Sequence, residues 1–449
     1  MIPERWRAGE AAVVGLARSG QAATRLLRKL GVVVYASDAG DTDALRQARS
    51  ALEREGAAVE VGKHDLARIA RASVAVMSPG VPPDAPPYRA AVSARVPVVA
   101  ELDLAAQCLP GSHLIVTTGT KGKSTTSALI ARLLEATGLG GSEAAGNIGL
   151  PLAEVALAGD RGAWIAVEAS SFQLHDAPSL VPAAGVLTNL SPDHLDRYPS
   201  LEAYYADKAL LFRNATEESR WVSNGDDASV TAMTREVKGR LERFSLDVPA
   251  ADAWFDRKAG WLNVRGMPLA RRADLRLLGD HNVANALAAA LAVPPDADRD
   301  RIAEGLRSFR PLHHRLEPVR ELNGVLWVND SKSTTVASTK SALEALDRPV
   351  VLLLGGRDKG GRFADLAGPL RGARGVIAYG EAAGRVVREL DGLAPVVAEG
   401  SDFSAVVARA GAMALPGDAV LLAPACSSFD MFKNAEERGT IFSALVERL

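Results

Sequence analysis

Leu114–Thr125 reads LIVTTGTKGKST and leads into SALIARLLEAT, Ser127–Thr137. Apolar and β-branched residues make a short strand, two glycines break it, and leucines and alanines at helical spacing follow. The turn holds Gly119-x-x-Gly122-Lys123-Ser124, a shortened relative of the longer phosphate-binding loop. Glycines there let backbone N–H groups converge on phosphate oxygens, and the helix N-terminus adds partial positive charge. Gly119, Thr120, Lys121 and Gly122 would form the cradle. Lys123 is placed for the β- and γ-phosphates, and the hydroxyl of Ser124 or Thr125 for Mg²⁺. The plainer reading, a glycine turn with a surface lysine, leaves the strand–loop–helix agreement unexplained.

The same alternation extends in both directions. AAVVG from Ala11, VVVYASD and SVAVMSPG precede the loop, with helical stretches between them. GVLWVND, VVLLLGG, GVIAYG and DAVLLAPA follow it, each with a helical pattern after it. Such a rhythm predicts α/β architecture with parallel sheets covered by helices. At roughly 150 residues per domain, a chain of 449 residues makes about three domains. CLPGS (Cys108–Ser112) and RPLHHRLEP (Arg310–Pro318) read as the boundaries, giving domains 1–110, 111–309 and 310–449. Within the middle one, roughly Arg220 to Leu278 reads as short strands and turns, an antiparallel insert.

Composition narrows the function. A formal net charge of −2 gives no basic excess for nucleic acid or a membrane surface. Two cysteines, Cys108 and Cys426, make no disulfide framework, so a reducing, cytoplasmic setting is expected. Cys426 reads as a small packing residue. No apolar run approaches the ~18 residues of a membrane span. The expectation is a monomer acting on small molecules.

A triphosphate site calls for oxygen ligands to Mg²⁺. Glu168 closes the apparent strand AWIAVE, at the end where α/β sheets gather functional groups. TNLSPDHLDRYPS puts Asp193, His194 and Asp196 after GVLTN; metal or phosphate binding competes there with a capped turn. Lys208, in AYYADKALL, reads on its own as a solvated helix lysine. Near the start, Gly15-Leu-Ala-Arg-Ser-Gly20 follows a strand and opens a helix, like a dinucleotide loop with Ala17 at its middle glycine position. Asp38 ends the next strand, as a ribose or base contact or as a helix cap.

Taken together, TGTKGKST, VEASSFQL, NLSPDHLDRYPS, GDHNVANALAAA, HHRLE and NDSKSTT resemble the Mur ligases in order and approximate spacing. These are ATP-dependent amide-bond ligases of peptidoglycan precursor synthesis. The likeness covers essentially the whole chain. It is nearest to the branch that joins glutamate to UDP-N-acetylmuramoyl-L-alanine. The resemblance implies a Rossmann-like N-terminal domain for the UDP group, a P-loop central domain for ATP, and a Rossmann-like C-terminal domain that closes over both. It implies that Arg18, Ser19, Asp38 and Gly80 line the uridine diphosphate, with Asn147 and His194 near the chemistry. Ser124, Glu168 and His194 match magnesium ligands, and Lys208 matches a lysine that the family carbamylates into a further ligand. Asn282, Asn285, Arg315 and Asp330 match positions at ATP, and Lys332 one near the reacting phosphate. Thr334, Lys359, Ser428 and Phe429 match the glutamate pocket; Lys359 could equally be a loop lysine.

The implied reaction transfers the γ-phosphoryl group of ATP to the alanyl carboxylate, and the glutamate amine then attacks the acyl phosphate. D-Glutamate is favoured. Thr335 and Ala435 depart from the common pattern, where Asn and a bulky aromatic often stand, so the L-glutamate-adding variant is the alternative. A nicotinamide oxidoreductase using GLARSG is more distant and leaves TGTKGKST and NDSKSTT without a role.

Overall fold

The computed structural model describes residues 2–141, 143–159, 163–195 and 197–449. Its strands fall into three sheets. The first is wholly parallel, in the order β3-β2-β1-β4-β5: β1 (Glu10–Val14), β2 (Val33–Asp38), β3 (Ala58–Val61), β4 (Val74–Met77) and β5 (Val98–Ala100). Helices α1 (Arg18–Lys29), α2 (Pro86–Ser93) and α3 (Glu101–Gln107) accompany it. Its interior strands are apolar on both faces, as a sheet covered on both sides requires; Ala11, Val13 and Val14 are wholly buried.

The second sheet has nine strands, ordered β14-β13-β12-β11-β10-β9-β6-β8-β7. β6 (His113–Thr118) lies between β8 (Trp164–Glu168) and β9 (Ala184–Leu187), and β7 (Ala145–Gly146) is at the edge. β10 (Arg220–Asn224) and β11 (Arg240–Ser245) extend the sheet in parallel. Only β12 (Ala253–Asp256), β13 (Trp261–Val264) and β14 (Met267–Arg271) turn back on one another. The antiparallel part is therefore narrower than the stretch from Arg220 to Leu278. Short, charged strands suggested hairpins, yet the helix Ala228–Met233 between β10 and β11 makes the crossover that a parallel pair needs. Helices α4 (Lys123–Thr137), α5 (Leu152–Ala158), α6 (Ser171–His175), α7 (Leu201–Ala209) and α8 (Asp280–Ala292) belong to this part of the chain.

The third sheet is ordered β15-β16-β20-β17-β18-β19. It comprises β15 (Glu317–Leu322), β16 (Val325–Asn329), β17 (Val350–Gly355), β18 (Gly375–Tyr379), β19 (Val396–Ala398) and β20 (Ala419–Leu422), antiparallel only at β15–β16. Helices α9 (Val336–Glu344), α10 (Ala383–Leu390) and α11 (Ala435–Glu447) flank it.

Packing divides the chain into two compact units. One runs through Asp274 and includes Ala284–Ser308; the other is Leu275–Val283 with Phe309–Leu449. The first two sheets share the first unit, because one apolar cluster runs from Val13 and Val34 through Leu102 and Leu104 to Val116 and Val167. Polar pins join them as well. Asp103 accepts from Ser179 N (2.9 Å) and Ser179 Oγ (2.8 Å), and Ala100 N donates to Asp176 O (2.6 Å). In the second unit, Cys426 is wholly buried in an apolar cluster with Leu352, Leu354 and Ala423, and burial pushes its thiol up to about 12.

Candidate active site

Strand β6 delivers the glycine loop. Thr117 and Thr118 are wholly buried, and the chain leaves the strand at Gly119 with φ of 144°. A Cβ on Gly119 would lie 2.0 Å from Thr188 Oγ1, so both backbone and space demand glycine. Gly122 (φ 82°) starts α4 in the left-handed region, and a Cβ there would meet Asn285 Oδ1 at 2.5 Å. Thr126 Oγ1 donates to that same oxygen (3.2 Å). Asn285 thus stands against the loop.

The segment after β9 is stitched to the loop. Lys121 N donates to Asn189 Oδ1 (2.9 Å), Ser191 N to Thr120 Oγ1 (3.1 Å), and Thr120 Oγ1 to Ser191 O (3.1 Å). Lys123 curls over its own turn, its Nζ donating to Gly119 O (3.0 Å) and Thr120 O (2.8 Å). Lys208 Nζ reaches the same Gly119 carbonyl (2.7 Å) and lies over the Tyr204 ring (4.5 Å). The solvated reading of Lys208 is therefore wrong. It is 1% exposed, because the last turn of α7 carries it beneath the loop. Burial first, and the Lys123 ammonium second, push its amine down to about 6.

Glu168 ends β8 in register with Thr117 of β6. It is 2% exposed. Its Oε1 accepts from Asn147 Nδ2 (2.8 Å), while Oε2 is buried with no hydrogen-bond partner. A buried carboxylate oxygen left bare is a costly arrangement that a cation would relieve. Among the described residues, no three His, Cys, Asp or Glu side chains gather as a ready metal cage. That donor set suits Mg²⁺, which keeps several waters and takes phosphate oxygens beside one or two protein ligands. Ser124, nearly buried at the first turn of α4, adds a hydroxyl.

His194 adopts φ of 54° and is exposed, its ring edge-on to Phe172 (5.2 Å) and Tyr204 (5.9 Å). Its Nε2 lies 3.9 Å from the Asp193 carboxylate. Asp196 lies outside the described residues. Arg197 spreads over the Phe172 ring (3.8 Å) and donates to Pro79 O (2.7 Å) and Val81 O (3.0 Å), which flank Gly80. A cleft of about 870 Å³ opens here, lined by Gly80, Val81, Phe172, Arg197 and Tyr198 among others.

In the first sheet, Asp38 holds the glycine turn instead of capping a helix. Its carboxylate accepts from Leu16 N (2.7 Å) and Gly40 N (2.8 Å), and the next helix is capped by Thr42. Arg18 and Ser19 open α1; Arg18 is exposed and donates to Gly149 O (3.2 Å), two residues beyond Asn147.

In the second unit, Asn282 donates to Leu278 O (2.8 Å). Asp330 is 6% exposed and accepts from Leu316 N (3.0 Å) and Ser333 Oγ; burial raises its carboxyl to about 6. Arg315 is exposed and its charge acts to lower the Asp330 pKa, against the burial that raises it, and Lys332 is paired with Glu436. Lys359 Nζ donates to Thr334 Oγ1 (3.1 Å), bringing two of the glutamate candidates together. Thr335 caps α9, Ser428 is 2% exposed, Phe429 is 62% exposed, and Ala435 opens α11.

Some residues escaped the sequence reading. Arg438 is wholly buried, its guanidinium on Ser331 Oγ (2.9 Å), Ser331 O (2.8 Å) and Cys426 O (3.2 Å). It ties together the two segments that carry Lys332 and Ser428. An arginine in the helix AEERGT carries no sign of that position. Tyr204 and Arg197 were legible only as parts of quoted motifs.

Comparison with known proteins gives concordant likenesses. The family described as Mur ligase middle domain matches residues 117–293, and Mur ligase, glutamate ligase domain, matches residues 314–426. The chain is 42% identical over 447 residues to UDP-N-acetylmuramoylalanine–D-glutamate ligase of Myxococcus xanthus, covering 97% of this chain and 98% of that protein. With the protein of the same name from Salinibacter ruber it shares 40% identity over 466 residues, covering both in full. In structure it resembles the UDP-N-acetylmuramate–alanine ligase of Thermotoga maritima, with a TM-score of 0.61 at 18% identity, covering 98% of this chain and 99% of that one.

Proposed function

This chain belongs to the Mur ligase family, and from that premise we propose that it joins D-glutamate to UDP-N-acetylmuramoyl-L-alanine, converting ATP to ADP and phosphate. The observation that best supports the chemistry is the glycine loop itself, with the bare Glu168 oxygen at the neighbouring strand end and two lysines on the Gly119 carbonyl. The D-enantiomer follows the names of the two relatives above, both of which specify it.

A carboxylate does not react with an amine unaided, since oxide would have to leave. Phosphorylating the alanyl carboxylate supplies phosphate as the leaving group. Main-chain N–H groups of Gly119–Ser124 and the Lys123 ammonium would spread the charge of the transferring phosphoryl group. Glu168 and Ser124 would hold Mg²⁺, with His194 as a further ligand, to neutralise phosphate oxygens. Lys208, kept unprotonated near neutral pH by burial, is in the form that adds CO₂ with loss of a proton. The carbamate would give the site a second anion where a neutral amine now lies. Asn282, Asn285, Arg315 and Asp330 are assigned to the nucleotide and Lys332 to the reacting phosphate. Arg18, Ser19, Asp38, Gly80 and Asn147 are assigned to the UDP substrate. Thr334, Lys359, Ser428 and Phe429 are assigned to glutamate, Lys359 facing its side-chain carboxylate. The glutamate amine then attacks the acyl carbon, and the tetrahedral intermediate expels phosphate.

No helix among the described residues is long and apolar enough to cross a membrane. We place the reaction in the cytoplasm, with the protein acting as a monomer on domains 1–110, 111–309 and 310–449. The test is paired incubation with D- or L-glutamate, UDP-N-acetylmuramoyl-L-alanine, ATP and Mg²⁺. Phosphate release with the D-isomer alone supports the reading; release with only the L-isomer refutes the stereochemistry, and release with neither refutes the function.

A further inference from the structure

We propose that Arg385 is a positioning residue for glutamate, fixing the Arg357–Gly361 loop so that the Lys359 ammonium faces the substrate's side-chain carboxylate. The inference rests on the glutamate reading of Lys359.

None of the side chains in this loop is buried, so apolar packing does not set its course. Polar anchors do. At its start, Arg357 N donates to Ser427 O (2.9 Å) and Ser427 N returns a bond to Arg357 O (3.0 Å). At its far end, Arg385 reaches across from α10. Its guanidinium donates to Asp358 Oδ2, to Gly361 O (2.6 Å) and to Glu389 Oε1 (2.6 Å), one helical turn along. Glu389 is itself fixed, accepting from Phe363 N (2.7 Å) just past the loop. Asp358 in turn accepts from Gly360 N (2.8 Å). Lys359 sits between these two anchors, with its Nζ on Thr334 Oγ1.

The clamp acts on charge as well as on place. Asp358 is the chain neighbour of Lys359 and carries the opposite charge. Held by Arg385, its carboxylate is occupied. Released, it becomes a rival for the Lys359 ammonium, in competition with the incoming carboxylate. A planar guanidinium satisfies three acceptors at fixed angles, whereas an ammonium on a flexible stem does not reproduce that fork. Arg385→Lys therefore keeps the charge and loses part of the positioning.

The experiment is steady-state kinetics of the full-length protein and its Arg385→Met and Arg385→Lys variants, varying each substrate with the others saturating. Melting temperatures are measured alongside. The expected result is a KM for glutamate raised about tenfold in Arg385→Met and less in Arg385→Lys, with the KM values for ATP and the UDP substrate unchanged. An unchanged glutamate KM overturns the proposal, as does an equal rise in all three KM values with a lowered melting temperature, which marks a general structural role. If Arg385→Met does not fold, Arg385→Lys decides alone: a selective rise supports positioning, and a wild-type glutamate KM overturns it. Failure of the underlying reading is distinct, since the unmodified protein would then ligate no glutamate.

Discussion

Replacing Glu101 by Gln should change how stability depends on pH. Glu101 opens α3 and is 2% exposed. One carboxyl oxygen accepts from Ala153 N (2.5 Å) at the start of α5, and the other is buried without a partner. Burial, opposed by that hydrogen bond and reinforced by Glu154, lifts the carboxyl from 4.5 to about 7. The unfolded chain gives up this proton near the lower value and the folded chain near the higher. Between them the unfolded state binds fewer protons, so stability falls as pH rises through that window and stays reduced above it. A shift from 4.5 to about 7 corresponds to about 3 kcal/mol. Gln carries no charge at any pH, so its stability relative to the wild type should climb by about that amount between pH 4.5 and 8.5. Any difference in fit between the amide nitrogen and the oxygen it replaces is constant with pH. Urea unfolding followed by tryptophan fluorescence across the range measures the difference. Parallel stability curves for the two proteins would refute the reasoning.

Three further outcomes follow from the geometry. Gly119→Ala puts a Cβ against Thr188 Oγ1 in a left-handed backbone, so it should cost about 1–3 kcal/mol and raise the KM for ATP, read by melting and by initial rates. Lys208→Met fills similar space without a buried amine; ligation should fall by at least about a hundredfold while the melting temperature holds, and an active variant would remove Lys208 from the chemistry. His175 Nδ1 donates to Asp207 Oδ1 (2.8 Å), and that bond raises its pKa. Its contribution is complete below the ordinary value of 6.5 and is lost as pH rises through the raised one. The melting gap between wild type and His175→Ala should therefore be wider at pH 6 than at pH 9, and an equal or reversed gap counts against the pair.

What could be read from the residues was whatever local chemistry fixes. The phosphate loop was legible because glycine spacing, the preceding strand and the following helix are all encoded within Leu114–Thr137. The place of Glu168 at a buried strand end was legible because the apolar run AWIAV leads directly into it. Lys208 was not, since its burial depends on α7 passing beneath a loop some ninety residues earlier in the chain. The direction of β10 and β11 was misjudged for a related reason. Arg220, Arg240 and Arg265 look like the solvent-facing residues of hairpins, yet they converge on Glu242, which is 1% exposed. Charge that is paired in three dimensions looks like surface in one. Arg385 and Arg438 share that disguise: each is an ordinary helix arginine until the loops it holds are in place.

The central claim is that ATP activates the alanyl carboxylate by phosphorylating it. Supplying UDP-N-acetylmuramoyl-L-alanine with ¹⁸O in that carboxylate, and reading the inorganic phosphate by mass spectrometry, tests this directly. The account predicts one labelled oxygen in the phosphate for each amide formed. Amide formation with unlabelled phosphate would contradict it.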